Sequence, residues 1–313
     1  PARKGIRINT LKITPDDFFA CTNYELEKSP FAKNGYYANI KSGVGFTPEH
    51  MSGFFYIQEP SASSAVTILE PKPGMKVLDM CAAPGSKSTQ ISELLHQCGL
   101  LVANEIHPTR ARVLLENVER CGSANTIVLN NDPKDISKAF PEFFDMVLCD
   151  APCSGEGMFR KEDQAVEQWS LENVQACAVR QIAILNEAYK CLKPGGIMVY
   201  STCTFAMEEN ELCIQKFIQE HLDMHLVPIN VEFGRKAFDL GSHTYYARRI
   251  FPMDGGEGHF IAKLKKDGNH TESTKKVMQS QPLPKEAKEF FETFFVKQYP
   301  YYFAKNDKVY GGT

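Results

Sequence analysis

From Lys76 onward, short apolar runs alternate with stretches whose apolar residues recur every three or four positions. "KVLDM" (76–80), "LLVANEI" (100–106), "TIVLN" (126–130), "DMVLCDAP" (145–152) and "GIMVYST" (196–202) are the runs. About five apolar residues without alternation fit a strand covered on both faces. Between them, "SKSTQISELLHQ" (86–97) keeps helical spacing. "PTRARVLLENVERCG" (108–122) opens with Pro108 at a helix start and closes with Gly122 past its end. A longer helix spans 171–192 and closes with "KPGG". The alternation predicts a doubly wound, mostly parallel sheet with helices on both faces, a Rossmann-like α/β domain. "HFIAKLKK" (259–266) alternates apolar and polar positions and reads as a late edge strand able to pair antiparallel.

The pattern changes at both ends. Residues 1–62 combine strand-like "GIRINTLKI" with turn-rich "KNGYYANIKSG" and read as a small α+β module of RNA-binding type. The catalytic domain is expected over 63–266. Residues 267–313 read as a polar linker ("KDGNHTESTKKVMQSQPLP") followed by the start of another module. The chain opens at Pro1 on a strand-like run and stops abruptly, so it is expected to be a piece of a longer protein.

Composition narrows the class. Hydrophobic residues are 43% and charged residues 23% of the 313 residues, ordinary values for a globular protein. No run approaches the roughly 20 apolar residues that a membrane helix needs. Ten cysteines without disulfide or zinc-ligand spacing suggest a reducing cytoplasm and no metal. The net charge of −3 argues against a nucleic-acid binder that uses its whole surface. Local basic groups remain: Arg110, Arg112 and Arg120; Arg160 and Lys161; Arg248 and Arg249; Lys263, Lys265 and Lys266. Such groups more often form solvated faces than phosphate tracks.

The loop "LDMCAAPGSKS" after the first strand is the expected ligand cradle, because ligands in such sheets sit beyond the carboxyl ends of strands. A phosphate-binding P-loop fails there, since Ser86 separates Gly85 from Lys87. A dinucleotide fingerprint fails too, with Gly85 its only glycine. Acids stand at four successive strand ends: Asp79, Glu105, Asp132 and Asp150. They would repel a polyphosphate and suit an uncharged nucleoside carrying a cation, such as S-adenosylmethionine. A single such acid is more often a helix cap.

Cys153 and Cys203 follow two of the strands. On their own they read more readily as buried packing than as nucleophiles. "CAAPGSKSTQ", "ANE", "DAPCSGEGMFRK" and "YSTC" together resemble the RNA cytosine-C5 methyltransferases of the NOL1/NOP2/Sun family, most closely its bacterial small-subunit ribosomal RNA branch. The resemblance covers almost the whole chain. It implies S-adenosylmethionine as methyl donor, cytosine in folded RNA as acceptor and a covalent enzyme–RNA intermediate. It implies Cys203 as nucleophile, Cys153 as the group that aids release, and Asp150 in contact with the cytosine. Lys87 and Lys161 would orient Asp150 or the RNA. For the donor it implies backbone contacts from Cys81, Ala82, Ala83, Pro84, Gly85, Ser86 and Lys87. Glu105 would take the ribose and Asp132 the adenine amino group, with Asp150 at the methionine end and Arg110 beside them. Transfer RNA in place of 16S ribosomal RNA, and a catalytically silent RNA-binding or assembly factor, stay open as alternatives. His259 departs from the family's commoner "GFF" and is not expected to be catalytic. Cys21, Cys98, Cys121, Cys177, Cys191 and Cys213 are expected to be packing.

Overall fold

The computed structural model describes residues 3–39, 43–269, 284–294, 301–305 and 308–312. They belong to two units, Pro1–Thr271 and Glu272–Thr313. The first unit begins with a four-stranded antiparallel sheet in the order β2-β3-β1-β4, made of β1 (Gly5–Ile8), β2 (Leu26–Lys28), β3 (Gly35–Ala38) and β4 (Phe55–Gln58). It carries helices α1 (Pro15–Cys21) and α2 (Pro48–Met51). Ile6, Ile8, Phe18 and Phe55 form its core. The expected strand "GIRINTLKI" is paired only over Gly5–Ile8. Asn9 ends it by turning its amide to the carbonyls of Gly53 and Cys121. The "KNGYYANIKSG" segment is more than a turn, since it supplies β3.

After α3 (Ser64–Leu69) the expected alternation follows: β5 (Lys76–Asp79), α4 (Ser86–Leu94), β6 (Leu100–Asn104), α5 (Pro108–Cys121), β7 (Thr126–Leu129), α6 (Pro133–Ala139) and β8 (Phe144–Asp150). Then come α7 (Asp163–Gln168), α8 (Leu171–Cys191), β9 (Leu192–Thr202), α9 (Glu211–Glu220), β10 (Met224–Leu226), β11 (Arg235–Lys236), β12 (Arg248–Ile250) and β13 (His259–Lys266). The sheet runs β11-β12-β13-β9-β8-β5-β6-β7, with β10 also on β13. Strands β5 to β9 are mutually parallel, because helices cross over between them. Two apolar layers cover its faces, one around Leu78, Val147, Leu185 and Tyr200, the other around Val77, Leu101, Leu148 and Val199.

Two expectations are corrected. "KPGG" does not close a helix; it lies within β9, which starts opposite Phe144 and resumes pairing at Met146 after an irregularity. Strand β13 is antiparallel to β9 as expected but is no edge, because β12 and β10 pair along its other side. The second unit contains α10 (Lys285–Phe294) and a hairpin of β14 (Tyr301–Lys305) and β15 (Lys308–Gly312). Most of the expected polar linker, 270–283, lies outside the described residues.

Candidate active site

Strand β5 has β6 on one side and β8 on the other, so the direction of winding reverses between β5 and β8. Such switch points open a crevice at the carboxyl ends of the strands. A cavity of about 890 Å³ lies there, within the size range of small-molecule sites. Met80, Cys81, Ala83, Glu105, Arg110, Asp132, Asp150, Pro152, Cys153 and Cys203 are among its lining residues. Three of the four strand-end acids therefore face one space. Asp79 does not. It is fully buried, and its Oδ2 accepts a hydrogen bond from Ser88 Oγ at 2.7 Å. Burial pushes the Asp79 carboxyl up to about 7.

The loop after β5 is braced from several sides. Arg110 donates to the Ala83 carbonyl at 2.9 Å and stands 3.4 Å from Glu105. Asn117 and Tyr56 donate to the Pro84 carbonyl at 2.9 and 3.2 Å. Ser86 turns away from the cavity and donates to Gln58 of β4 at 2.6 Å. Gly85 packs against Leu114, and only Cys81 and Ala83 of the expected donor loop line the cavity. Glu105 accepts from the His107 amide at 2.9 Å. Asp132 caps α6 through the Lys134 amide at 2.9 Å. Capping and cavity lining coincide here, since a carboxylate capped through one N–H keeps further lone pairs for a ligand. The carboxylate-rimmed space, lined by Cys81 and Ala83 of the loop after β5, fits a cationic nucleoside such as S-adenosylmethionine.

Asp150 and the two thiols sit together at the ends of β8 and β9. Lys87 Nζ lies 2.7 Å from Asp150 Oδ2, and Ser201 Oγ donates to Oδ1 at 2.6 Å. Burial pushes this carboxyl up, but Lys87, His259 and the hydrogen bonds outweigh it and hold it below the usual carboxylate range. Asp150 is therefore ionised near neutral pH. The Sγ atoms of Cys153 and Cys203 are 3.2 Å apart, and the Cys203 amide donates to Cys153 Sγ at 3.3 Å. The hydrogen bond to Cys203, then burial and the charges of Cys203 and Glu209, push the Cys153 thiol well above its ordinary range.

Several other expectations resolve differently. Cys121, Cys177, Cys191 and Cys213 are buried as expected, but Cys21 and Cys98 are exposed. Each lies where its helix gives way to a turn or loop, so no second layer covers it. Arg249 is buried against Glu211 rather than on a basic face. Arg120 donates to the His50 and Phe55 carbonyls, and Arg248 to that of Ile229. Lys161 is exposed, and the charges acting on it are those of Glu59, Glu257, Cys203 and Glu162. His259 is buried, 3.0 Å from Ser61 Oγ, and burial lowers its ring to about 4. Glu156, Gln181, Ser201 and Glu209, which surround the thiols, carry no motif-independent signal in the sequence; each is a polar residue in an ordinary helix, strand end or loop.

The sheet order, the switch-point cavity and its acids define a Rossmann-like S-adenosylmethionine-dependent methyltransferase fold. The family model for the 16S rRNA methyltransferase RsmB/F matches residues 66–265, and that for the N-terminal domain of 16S rRNA methyltransferase RsmF matches residues 1–60. The chain belongs to the RsmB/F family of 16S rRNA methyltransferases. Ribosomal RNA small subunit methyltransferase F of Aeromonas salmonicida (strain A449) is 38% identical over 276 residues, which are 85% of this chain and 58% of that protein. Its counterpart from Vibrio cholerae serotype O1 (strain M66-2) is 41% identical over the same shares. The chain thus spans under two thirds of the length of these relatives. A methyltransferase homologue from Pyrococcus horikoshii superposes with a TM-score of 0.76 at 33% identity, covering 85% of this chain and 87% of that one. NSun6 from the same organism, at 22% identity and TM-score 0.74, covers 86% of this chain and 92% of its own and shares the fold.

Proposed function

We propose that this protein transfers a methyl group from S-adenosylmethionine to carbon 5 of a cytosine in 16S ribosomal RNA, through a covalent bond between Cys203 and carbon 6. The observation that carries the reading is the pair of thiols 3.2 Å apart that line the acid-lined cavity together with Asp150. S-adenosylmethionine, when bound, supplies an electrophilic methyl group; Cys81, Ala83, Glu105, Asp132 and Arg110 are the residues to hold it. Carbon 5 of cytosine is a weak nucleophile. Addition of the Cys203 thiolate to carbon 6 pushes an electron pair into the ring and makes carbon 5 enamine-like. Asp150 is ionised, so it does not deliver a proton to ring N3. It accepts from the cytosine amino group, while Lys87 supplies the positive charge that the ring needs during addition. Once carbon 5 carries the methyl group, its proton passes to solvent water and the ring electrons expel Cys203 as a thiolate. Cys153, held protonated, returns a proton to the departing thiolate as release proceeds. Access to carbon 6 requires the base to leave its stack. Residues 1–62 and the part from 267 on are assigned to RNA choice, and the enzyme to the cytoplasm. No helix among the described residues is long and apolar enough to cross a membrane.

The test uses labelled S-adenosylmethionine with naked 16S RNA, assembled small subunits and bulk tRNA, followed by mapping of 5-methylcytosine. Label confined to tRNA would overturn the ribosomal assignment. Cys153→Ala is expected to leave a protein–RNA adduct that survives denaturation, and Cys203→Ala to form none. The reverse pattern would exchange the two thiols' roles.

A further inference from the structure

The two thiol-bearing loops are joined crosswise. Glu156 lies three residues after Cys153, yet its carboxylate holds the other loop. Its Oε2 accepts from Thr204 Oγ1 at 3.0 Å and from the Phe205 amide at 2.7 Å. Its Oε1 accepts from Trp169 Nε1 at 3.1 Å. Glu209 lies six residues after Cys203 and holds the Cys153 loop. Its Oε2 accepts from the Ser154 amide at 3.0 Å and from Gln181 Nε2 at 2.7 Å. The same Gln181 nitrogen donates to the Pro152 carbonyl at 2.9 Å, so both neighbours of Cys153 are tethered. Ser154 and Thr204 close the exchange with their hydroxyls 2.8 Å apart, and the Gly157 amide donates to the Cys203 carbonyl at 2.8 Å.

Glu209 is fully buried, and its Oε1 has no hydrogen-bond partner. Burying a carboxylate with one oxygen bare is costly, and such groups persist where a structure needs what the other oxygen does. Two carboxylates exchanged between two loops fix a separation more firmly than either could alone. A shift of about 1 Å in a reacting group can cost about a hundredfold in rate. Neither carboxylate is among the residues that line the cavity.

We propose that Glu156 and Glu209 are positioning residues with separate duties, Glu156 setting Cys203 for attack and Glu209 setting Cys153 for release. The inference rests on the thiol roles given under Proposed function. Loss of one charge-assisted tie of this kind predicts about a tenfold effect on the step it serves. Glu209→Ala is expected to slow product formation about tenfold while a denaturation-resistant adduct accumulates. Glu209→Gln, whose amide oxygen can accept from the same two donors, restores most of the release. Glu156→Ala is expected to slow adduct formation about tenfold when combined with Cys153→Ala, whereas Glu209→Ala in that background leaves it within about twofold. Gln181→Ala, which cuts the ties to Glu209 and Pro152, gives the same sign as Glu209→Ala and serves if that variant does not fold. If Cys153→Ala alone traps no adduct, the thiol assignment falls and the clasp with it. If Cys153→Ala traps adduct but Glu156→Ala and Glu209→Ala slow both steps equally, or Glu209→Ala accumulates none, the clasp alone is overturned.

Discussion

At the residue scale, the same side-chain type takes opposite states because its surroundings differ. Asp150 is kept ionised by Lys87, while Asp79 is pushed up to about 7 by burial. The raised Asp79 has a consequence for stability. Between the ordinary value of 3.8 and about 7, the folded state binds more protons than the unfolded chain. Asp79 therefore contributes its full stability below 3.8 and loses it as pH rises through about 7. Asp79→Asn should flatten that part of the curve of unfolding free energy against pH, measured by denaturant titration at several pH values. An unchanged slope would refute the raised value. His259 has the opposite sign. Its ring is lowered to about 4, so its contribution is present above 6.5 and lost as pH falls through 4. In the sequence, Asp79 and Asp150 look alike, each an acid closing an apolar run. Nothing local told that the first turns into α4 and the second into the cavity.

At the scale of elements, the loops after β8 and β9 meet over Gly157. A Cβ there would lie 2.8 Å from the Gly258 carbonyl oxygen and 2.9 Å from that of Cys203, closer than backbone tolerates. Gly157→Ala should push the Cys203 loop aside and slow adduct formation, in the Cys153→Ala background, by about tenfold or more, with a smaller effect on melting temperature. An unaltered rate would show that the loops tolerate the displacement. The five central strands and helices α4, α5 and α8 were legible, since apolar runs between helical stretches allow little else, whereas α6, α7 and α9 were not read. The irregular start of β9 and the interior position of β13 were not. Each depends on what pairs alongside, and β10 and β12 are three-residue strands too short to leave a period in the sequence.

At the scale of the molecule, the N-terminal sheet is locked to the catalytic sheet by a buried ion pair. Arg7 of β1 binds Glu93 of α4 and donates to Thr89 Oγ1 at 2.8 Å, while Thr10 and Asn34 donate to the other Glu93 oxygen at 2.9 and 2.7 Å. Removing one member leaves a buried charge unpaired, which costs about 3–5 kcal/mol. Arg7→Ala is therefore expected to lower the melting temperature by several degrees, and more than Arg248→Ala does. Equal effects would mean that the two sheets do not stabilise each other through this pair. The sequence split the chain near residue 62 on its change of pattern and held no sign of this contact, whose members are 86 residues apart.

By itself the sequence determined the α/β class, the positions of the central strands along the chain and the chemistry available at their ends, because periodicity and punctuation act over a few residues at a time. It also held the motifs that resemble the cytosine-C5 methyltransferases. The tertiary structure alone decided that Cys153 and Cys203 touch, that three of the four acids share a cavity, and that Glu156 and Glu209 reach across to each other's loop. The thiol contact and the crossed carboxylates depend on bringing residues some fifty positions apart together through the pairing of β8 with β9, and the shared cavity on the placing of β6, β7 and β8 in one parallel sheet around β5.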